Sequence, residues 1–177
     1  IEAGRFGRIC LVTVNVFWNR PQSYYDSSPW RGTWEFDGGA FMNQASHYVD
    51  MLDWLIGPVE SVQAYAATLA RRIEVEDTGV LALRWRAGTL GSLNVTMLTY
   101  PRNLEGSITV LGERGSVRVG GIAVNRIEGL TRAVVAPHPG NSLIAGQGAV
   151  IHLGRAADLL VRARVAMFAA LGEQGAE

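Results

Sequence analysis

An amide and an imidazole that follow two glycines are the residues of this chain best suited to chemistry. Gly38 and Gly39 precede an apolar run in which Asn43 and His47 stand four residues apart. On a helix, that spacing puts both side chains on one face. Glycine leaves the backbone open to close approach, and a helix N-terminus favours anionic ligand groups. The stretch therefore predicts a ligand site at the start of a helix.

His47 is the candidate catalytic residue of this stretch. Imidazole titrates near neutral pH, so His47 can act as a general acid or base while Asn43 orients a substrate. Asp50 and Asp53 add two further polar groups along the same helix. The competing interpretation is a core histidine that hydrogen-bonds a neighbour. A metal site is disfavoured, because the three histidines at positions 47, 138 and 152 show neither HxxxH nor HxH spacing.

Hydrophobic periodicity predicts the elements that must position these residues. Apolar residues recur at steps of three and four over residues 40–56, which predicts one helix, ended by Gly57 and Pro58. Residues 8–18 are rich in β-branched and aromatic types and predict a strand, followed by a Tyr- and Trp-rich loop over residues 19–39. After the helix, turn signals separate five further predicted strands, at residues 59–70, 78–88, 90–98, 105–115 and 116–121.

Consecutive strands with short links predict an α+β fold, with a largely antiparallel open sheet and one main helix packed on a face. In the aromatic loop, Trp30 and Trp34 either line a ligand or cover the core. Cys10 stands in an apolar run and is predicted to be a buried, small hydrophobic residue.

The pattern changes near residue 129, where a glycine-rich stretch and then a helical pattern replace the strands. We predict an α+β domain over residues 1–128 and an atypical tail over residues 129–177. The change reflects either a join, by fusion, frameshift or assembly error, or a divergent native tail.

Composition excludes several classes of protein. With 48% hydrophobic and 18% charged residues, the 177-residue chain is globular and not disordered. Sixteen basic residues, all of them arginine, balance sixteen acidic ones, so nucleic acid and anionic membranes are not expected partners. One cysteine excludes a disulfide within the chain and a cysteine-based zinc site. No apolar run has the length of a membrane span, and we expect a cytoplasmic protein.

The stretch GGAFMNQASHYVDMLDWLIG, residues 38–57, resembles the substrate-domain motif of the Gfo/Idh/MocA oxidoreductases. The family pattern has glycines, an acid or amide, His four residues later, Asp three residues after that, and a Leu-x-Gly helix end. The matching positions here are Gly38, Gly39, Asn43, His47, Asp50, Leu55 and Gly57. The resemblance extends through EDTGVLALRWRAGTLGSLNVTM and GSITVLGERGSVRVGG, over residues 4–128.

Within that family the chain resembles bacterial enzymes that oxidise the 3-hydroxyl of UDP-N-acetylglucosaminuronic acid. The resemblance implies the substrate-binding half of an NAD- or NADP-dependent sugar-nucleotide dehydrogenase of polysaccharide biosynthesis, forming a homo-oligomer through its sheet face. His47 would take the hydroxyl proton, and Asn43 would hold the sugar beside Gly38 and Gly39. Arg31 would pair with a phosphate or carboxylate of the ligand, or remain a solvated loop arginine.

Three departures from the family pattern shape the expectation. Many relatives carry Asp at the position of Asn43. An amide cannot exchange protons as a carboxylate can, which leaves open whether Asn43 and His47 form an acid/base dyad. The GxGxxG and Glu-Lys-Pro motifs of the family's dinucleotide (Rossmann) domain are absent. We therefore expect a fragment that is inactive alone, with NAD or NADP bound mainly by a missing domain. Residues 129–177 resemble an amidohydrolase segment, without the paired metal-binding histidines. The alternative functions are a non-catalytic oligomerisation or binding module, or an amidohydrolase fragment.

Overall fold

The computed structural model describes residues 1–121 and 124–132, and within them a seven-stranded mixed sheet carries helical segments on one face. The strands are β1 (Ile9–Phe17), β2 (Val59–Ala67), β3 (Thr78–Trp85), β4 (Leu90–Thr96), β5 (Glu105–Gly112), β6 (Gly115–Gly120) and β7 (Arg126–Arg132). The helical segments are α1 (Gln22–Asp26), a π-helical turn (Ala40–Gln44) and α2 (Ser46–Ile56). No helix in these ranges is long and apolar enough to cross a membrane.

The sheet has the strand order β2-β3-β4-β1-β5-β6-β7, and β1 lies between β4 and β5. β1 runs parallel to β4 and antiparallel to β5, while the other neighbouring strands pair antiparallel. A parallel pair needs a long crossover connection. Here the crossover contains the aromatic loop and α2, so the candidate site residues lie on this connection. The predicted α+β fold, largely antiparallel with one main helix on a face, is confirmed.

The core lies between the central strands and α2. Alternation along β1 buries Val12, Val14 and Val16, and α2 buries Tyr48 and Leu52 against the same face. Alternation of this kind is what a strand produces when one face of its sheet is covered. The core therefore fixes α2, and with it His47, relative to the central strands.

The prediction that Cys10 is buried is wrong, because the side chain is exposed. The pairing of β1 with β5 shifts register between Ile9 and Leu11. A bulge of this kind breaks the in–out alternation of a strand. Cys10 therefore does not share the inward direction of Val12, although it stands in an apolar run.

The single helix predicted over residues 40–56 is divided. The N–H of Ala45 donates to the carbonyl of Ala40 at 2.9 Å, five residues back, which is the bond of a π-helical turn. Ala45 itself has φ −101° and ψ 0°, and α2 begins at the next residue. Asn43 and His47 consequently belong to different helical segments, and regular i, i+4 geometry does not relate them.

β7 is a strand that the sequence pattern did not predict. It pairs antiparallel with β6 over Arg126–Arg132, so the predicted join between residues 128 and 129 falls within a strand. The predicted tail helix lies outside the described residues. The division at residue 129 stays a prediction.

Gly79→Ala should lower the free energy of unfolding by about 1–3 kcal/mol, the usual cost of overpacking a core. A Cβ at Gly79 would overlap the ring of Phe41, which is fully buried in the π-helical turn. Gly129→Ala is the matched control, since a Cβ there meets no atom within 4 Å. Urea unfolding of both variants measures the difference, and equal losses would contradict the close packing of Phe41 on β3.

Candidate functional site

Asn43 is held in place by a carboxylate that sequence reasoning missed. Its Nδ2 donates to Oδ1 of Asp37, and Oδ2 of Asp37 accepts the backbone N–H of Gly32 at 2.8 Å. Asp37 is only 8% exposed. Because this bond uses one of the two amide N–H groups, the other N–H and the carbonyl oxygen of Asn43 are the groups with which it can bond a ligand. The signal in the sequence was an acid directly before Gly38.

His47 lies in the first turn of α2, with an exposed side chain whose ring rests on aromatic neighbours. Its ring is stacked on Trp18 at 5.8 Å between centroids and lies 4.5 Å from the ring of Tyr48. The partial desolvation lowers the pKa of His47 below its ordinary value of 6.5. At neutral pH the imidazole is therefore uncharged, the form that accepts a proton. Asp50 and Asp53 lie further along α2 and are partly buried.

Gly38 and Gly39 are both buried, with φ of 75° and 87°. These left-handed values favour glycine. A Cβ at Gly39 would overlap the carboxyl group of Glu76. The group that comes close to the backbone of Gly39 is therefore the side chain of Glu76.

Glu76 is a second buried carboxyl group that sequence reasoning missed. Its Oε1 accepts a hydrogen bond from the N–H of Phe41 at 2.9 Å at the start of the π-helical turn, and its Oε2 has no hydrogen-bond partner in the described part of the chain. Burial raises the pKa of Glu76 to about 7, and the charge of Asp37 adds to the rise. The carboxyl group thus holds the turn that carries Asn43. Nothing in the hydrophobic periodicity distinguished it.

Tyr24 connects the aromatic loop to the π-helical turn. Its hydroxyl accepts Nε2 of Gln44 at 3.2 Å, and Gln44 is itself buried. The guanidinium carbon of Arg31 lies 4.1 Å from the centre of the Tyr24 ring, and that of Arg20 lies 5.3 Å from it. These contacts bring the predicted Arg31 to the segment that contains Asn43. They also add Arg20, which sequence reasoning missed.

Arg31 is ordered by its own loop. Its Nη1 donates to the carbonyl of Tyr24 at 3.0 Å and to Oγ of Ser27, and its guanidinium carbon lies 5.3 Å from the ring of Trp30. Trp30 is 41% exposed, whereas Trp34 is partly buried against the core. Of the two tryptophans, Trp34 covers the core and Trp30 stays accessible beside Arg31.

Asp77 fixes the loop that supports Arg20. Its carboxylate accepts three backbone N–H groups at 2.9–3.0 Å, those of Leu69, Ala70 and Arg71. Nε of Arg71 then donates to the carbonyl of Arg20 at 2.7 Å. Among the described residues, no group of three or more His, Cys, Asp or Glu side chains could hold a metal ion.

Solved structures share this fold and much of this sequence. The WlbA dehydrogenase from Bordetella pertussis, in complex with NADH and UDP-GlcNAcA, is 76% identical over 78% of this chain and 41% of its own, with a TM-score of 0.74. The WlbA dehydrogenase from Chromobacterium violaceum, in complex with the same two molecules, is 73% identical over 78% of this chain and 39% of its own, with a TM-score of 0.74. The chain thus spans about 40% of the length of these relatives.

A levoglucosan dehydrogenase shares the fold alone, at 22% identity over 75% of this chain and 38% of its own, with a TM-score of 0.66. No curated protein matches the chain. Residues 1–118 match the family model for the GFO/IDH/MocA C-terminal domain. The chain therefore belongs to the GFO/IDH/MocA family, as a C-terminal domain.

Proposed function

We propose that this chain is the substrate-binding part of an NAD-dependent oxidoreductase that oxidises a sugar-nucleotide hydroxyl. The proposed substrate is of the UDP-N-acetylglucosaminuronate type, oxidised at its 3-hydroxyl. The observation that carries the proposal is the 76% identity to a WlbA dehydrogenase whose structure holds NADH and UDP-GlcNAcA. NADP is the alternative cofactor, and the amidohydrolase and non-catalytic alternatives are not favoured. Since substrate and cofactor are both cytoplasmic metabolites, we propose a cytoplasmic location.

The described residues do not fit a dinucleotide by themselves. Dinucleotides bind where a parallel βαβ unit carries a glycine-rich turn at a helix N-terminus. Within residues 1–121 and 124–132, the parallel pair β1–β4 is joined by a long crossover that includes the β2–β3 hairpin, and no such turn follows a strand. The cofactor is therefore assigned mainly to a domain outside this chain.

The residues of this chain act on the hydroxyl group. Oxidation of an alcohol removes a hydride from carbon and a proton from oxygen, and a nicotinamide bound by the other domain would accept the hydride. Uncharged His47 accepts that proton as a general base. The carbonyl oxygen of Asn43, oriented by Asp37, accepts a hydrogen bond from the sugar. Gly38 and Gly39 allow the loop the left-handed backbone conformation that places Asn43 beside the substrate.

The direct test is turnover of the full-length protein that carries this chain. With UDP-GlcNAcA and NAD, we expect reduced nicotinamide to form, followed by its absorbance, and a 3-keto sugar nucleotide as product. UDP-GlcNAc, which lacks the uronate carboxyl, is the matched substrate control. Binding of the sugar nucleotide without any oxidation would favour the non-catalytic module.

We propose that the chain forms a homo-oligomer through the open face of its sheet. This face is opposite α2, and no element of the described residues covers it. Exposed apolar side chains lie on it, among them Val80 at 46% and Tyr65 at 78%. Burial of such a surface against a second copy is favourable.

Val80→Arg should therefore shift the full-length protein to a smaller species, because it places a charge in the proposed interface. Ala87→Arg, the same substitution in the exposed turn between β3 and β4, is the control. Sedimentation velocity measures both. A wild-type protein that sediments as a monomer would contradict the proposed oligomer.

A further inference from the structure

Among the residues that the structure describes, two arginines beside the site have no carboxylate partner. The guanidinium groups of Arg20 and Arg31 both lie within 5.3 Å of the centre of the Tyr24 ring. Elsewhere in the described residues, Arg8, Arg84 and Arg118 form ion pairs with glutamates, whereas Arg20 and Arg31 form none. Two like charges held on one ring without a counter-ion constitute an attractive position for an anion.

The hydrogen-bonding capacity of both arginines is also incompletely used. Nη1 of Arg20 donates to the carbonyl of Asn19, and Nη1 of Arg31 donates to backbone and hydroxyl oxygens of its own loop. In each residue, Nε is buried and has no acceptor among residues 1–121 and 124–132. A guanidinium carries five N–H donors in a planar fork that matches phosphate and carboxylate oxygens. The free donors therefore match the chemistry of an anionic oxygen ligand.

The surrounding contacts hold the guanidinium groups of Arg20 and Arg31 in position next to the candidate site. Arg20 lies over the ring of Trp18 at 5.1 Å, and Trp18 stacks on His47. On the other side, the Tyr24 hydroxyl is bonded to Gln44, the neighbour of Asn43 in the chain. One ligand that reaches both His47 and Asn43 would therefore pass close to the two guanidinium groups.

We propose that Arg20 and Arg31, which both contact the Tyr24 ring, form a clamp for the diphosphate of a nucleotide sugar. The inference rests on the proposed function and specifies which part of the substrate these residues bind. Two uncompensated cations match the two negative charges of a nucleoside diphosphate, while a single carboxylate would leave one of them unneutralised. Charge-assisted bonds from guanidinium to phosphate are among the stronger hydrogen bonds in proteins.

The test is calorimetric titration of the full-length protein with UDP, UDP-GlcNAc and UDP-GlcNAcA. In Arg20→Gln we expect all three ligands to lose roughly 10- to 100-fold in affinity, because each contains the diphosphate. Arg86→Gln, which removes an exposed arginine in the β3–β4 turn, should leave all three affinities unchanged. A loss confined to UDP-GlcNAcA would overturn the diphosphate assignment in favour of the carboxylate, and unchanged affinities would overturn the clamp.

Arg31→Gln provides an independent second variant with the same expected result, should Arg20→Gln fold poorly. The bond from Arg71 to the carbonyl of Arg20 uses backbone and survives the substitution. UDP binding tests the clamp separately from the reaction. A protein that binds UDP through the clamp but oxidises no sugar nucleotide would refute the proposed function alone. If the wild-type protein oxidises the sugar nucleotide and Arg20→Gln binds UDP with unchanged affinity, the clamp alone is refuted.

Discussion

Replacing His47 by alanine in the full-length protein lowers kcat for sugar-nucleotide oxidation by roughly 10²- to 10⁴-fold, the usual contribution of a general acid or base. The side chain is exposed and contacts Trp18 and Tyr48 only through its ring, so the protein should stay folded. Steady-state kinetics with UDP-GlcNAcA measures the effect. A variant that keeps more than half of the wild-type kcat would contradict the assigned role.

The pH profile gives a second measurement for His47. A base acts only when deprotonated, so kcat/KM of the wild-type protein should rise with pH through the pKa of His47. Desolvation lowers that pKa, which puts the midpoint below 6.5. His47→Ala should lose this acidic limb. Trp54→Ala, an exposed residue on the same helix, is the matched control and should retain the limb and kcat.

Replacing Glu76 by glutamine removes a pH dependence from the stability of the protein. The folded-state pKa of about 7 exceeds the ordinary value of 4.5, so the folded protein binds a proton that the unfolded chain releases in this interval. The wild-type free energy of unfolding should therefore fall as pH rises from 4.5 to 7, by up to about 3 kcal/mol. Glutamine imitates the protonated acid and should abolish this fall.

Urea unfolding at several pH values between 4.5 and 8 measures the Glu76 effect. Above pH 7, Glu76→Gln should be the more stable protein, and near pH 4.5 the two should be similar. Glu35→Gln, the same change at an exposed position in the aromatic loop, controls for the loss of one carboxylate. Parallel pH curves for wild type and Glu76→Gln would show that this carboxyl group is not protonated in the folded state.

Local patterns in the sequence were sufficient to predict six of the described strands and the main helix. The buried face of a strand or helix shows in the order of apolar and polar residues along the chain, as alternation in a strand and as a period of three to four in a helix. The same local motif singled out Asn43 and His47. The burial of Cys10 was predicted wrongly because a bulge interrupts the alternation of β1. The single helix over residues 40–56 was predicted wrongly because a π-helical turn interrupts the helical period.

Only the tertiary structure decided which side chains surround the site. Glu76 reaches Phe41 across 35 residues, and Arg71 reaches Arg20 across 51. Arg20 is brought beside Arg31 because both pack on Tyr24. Contacts of this kind follow from the insertion of β1 between β4 and β5, a non-local pairing that no periodicity along the chain encodes. The sequence alone thus determined the elements and the reactive pair, while the fold supplied the carboxyl groups and cations that give that pair its environment.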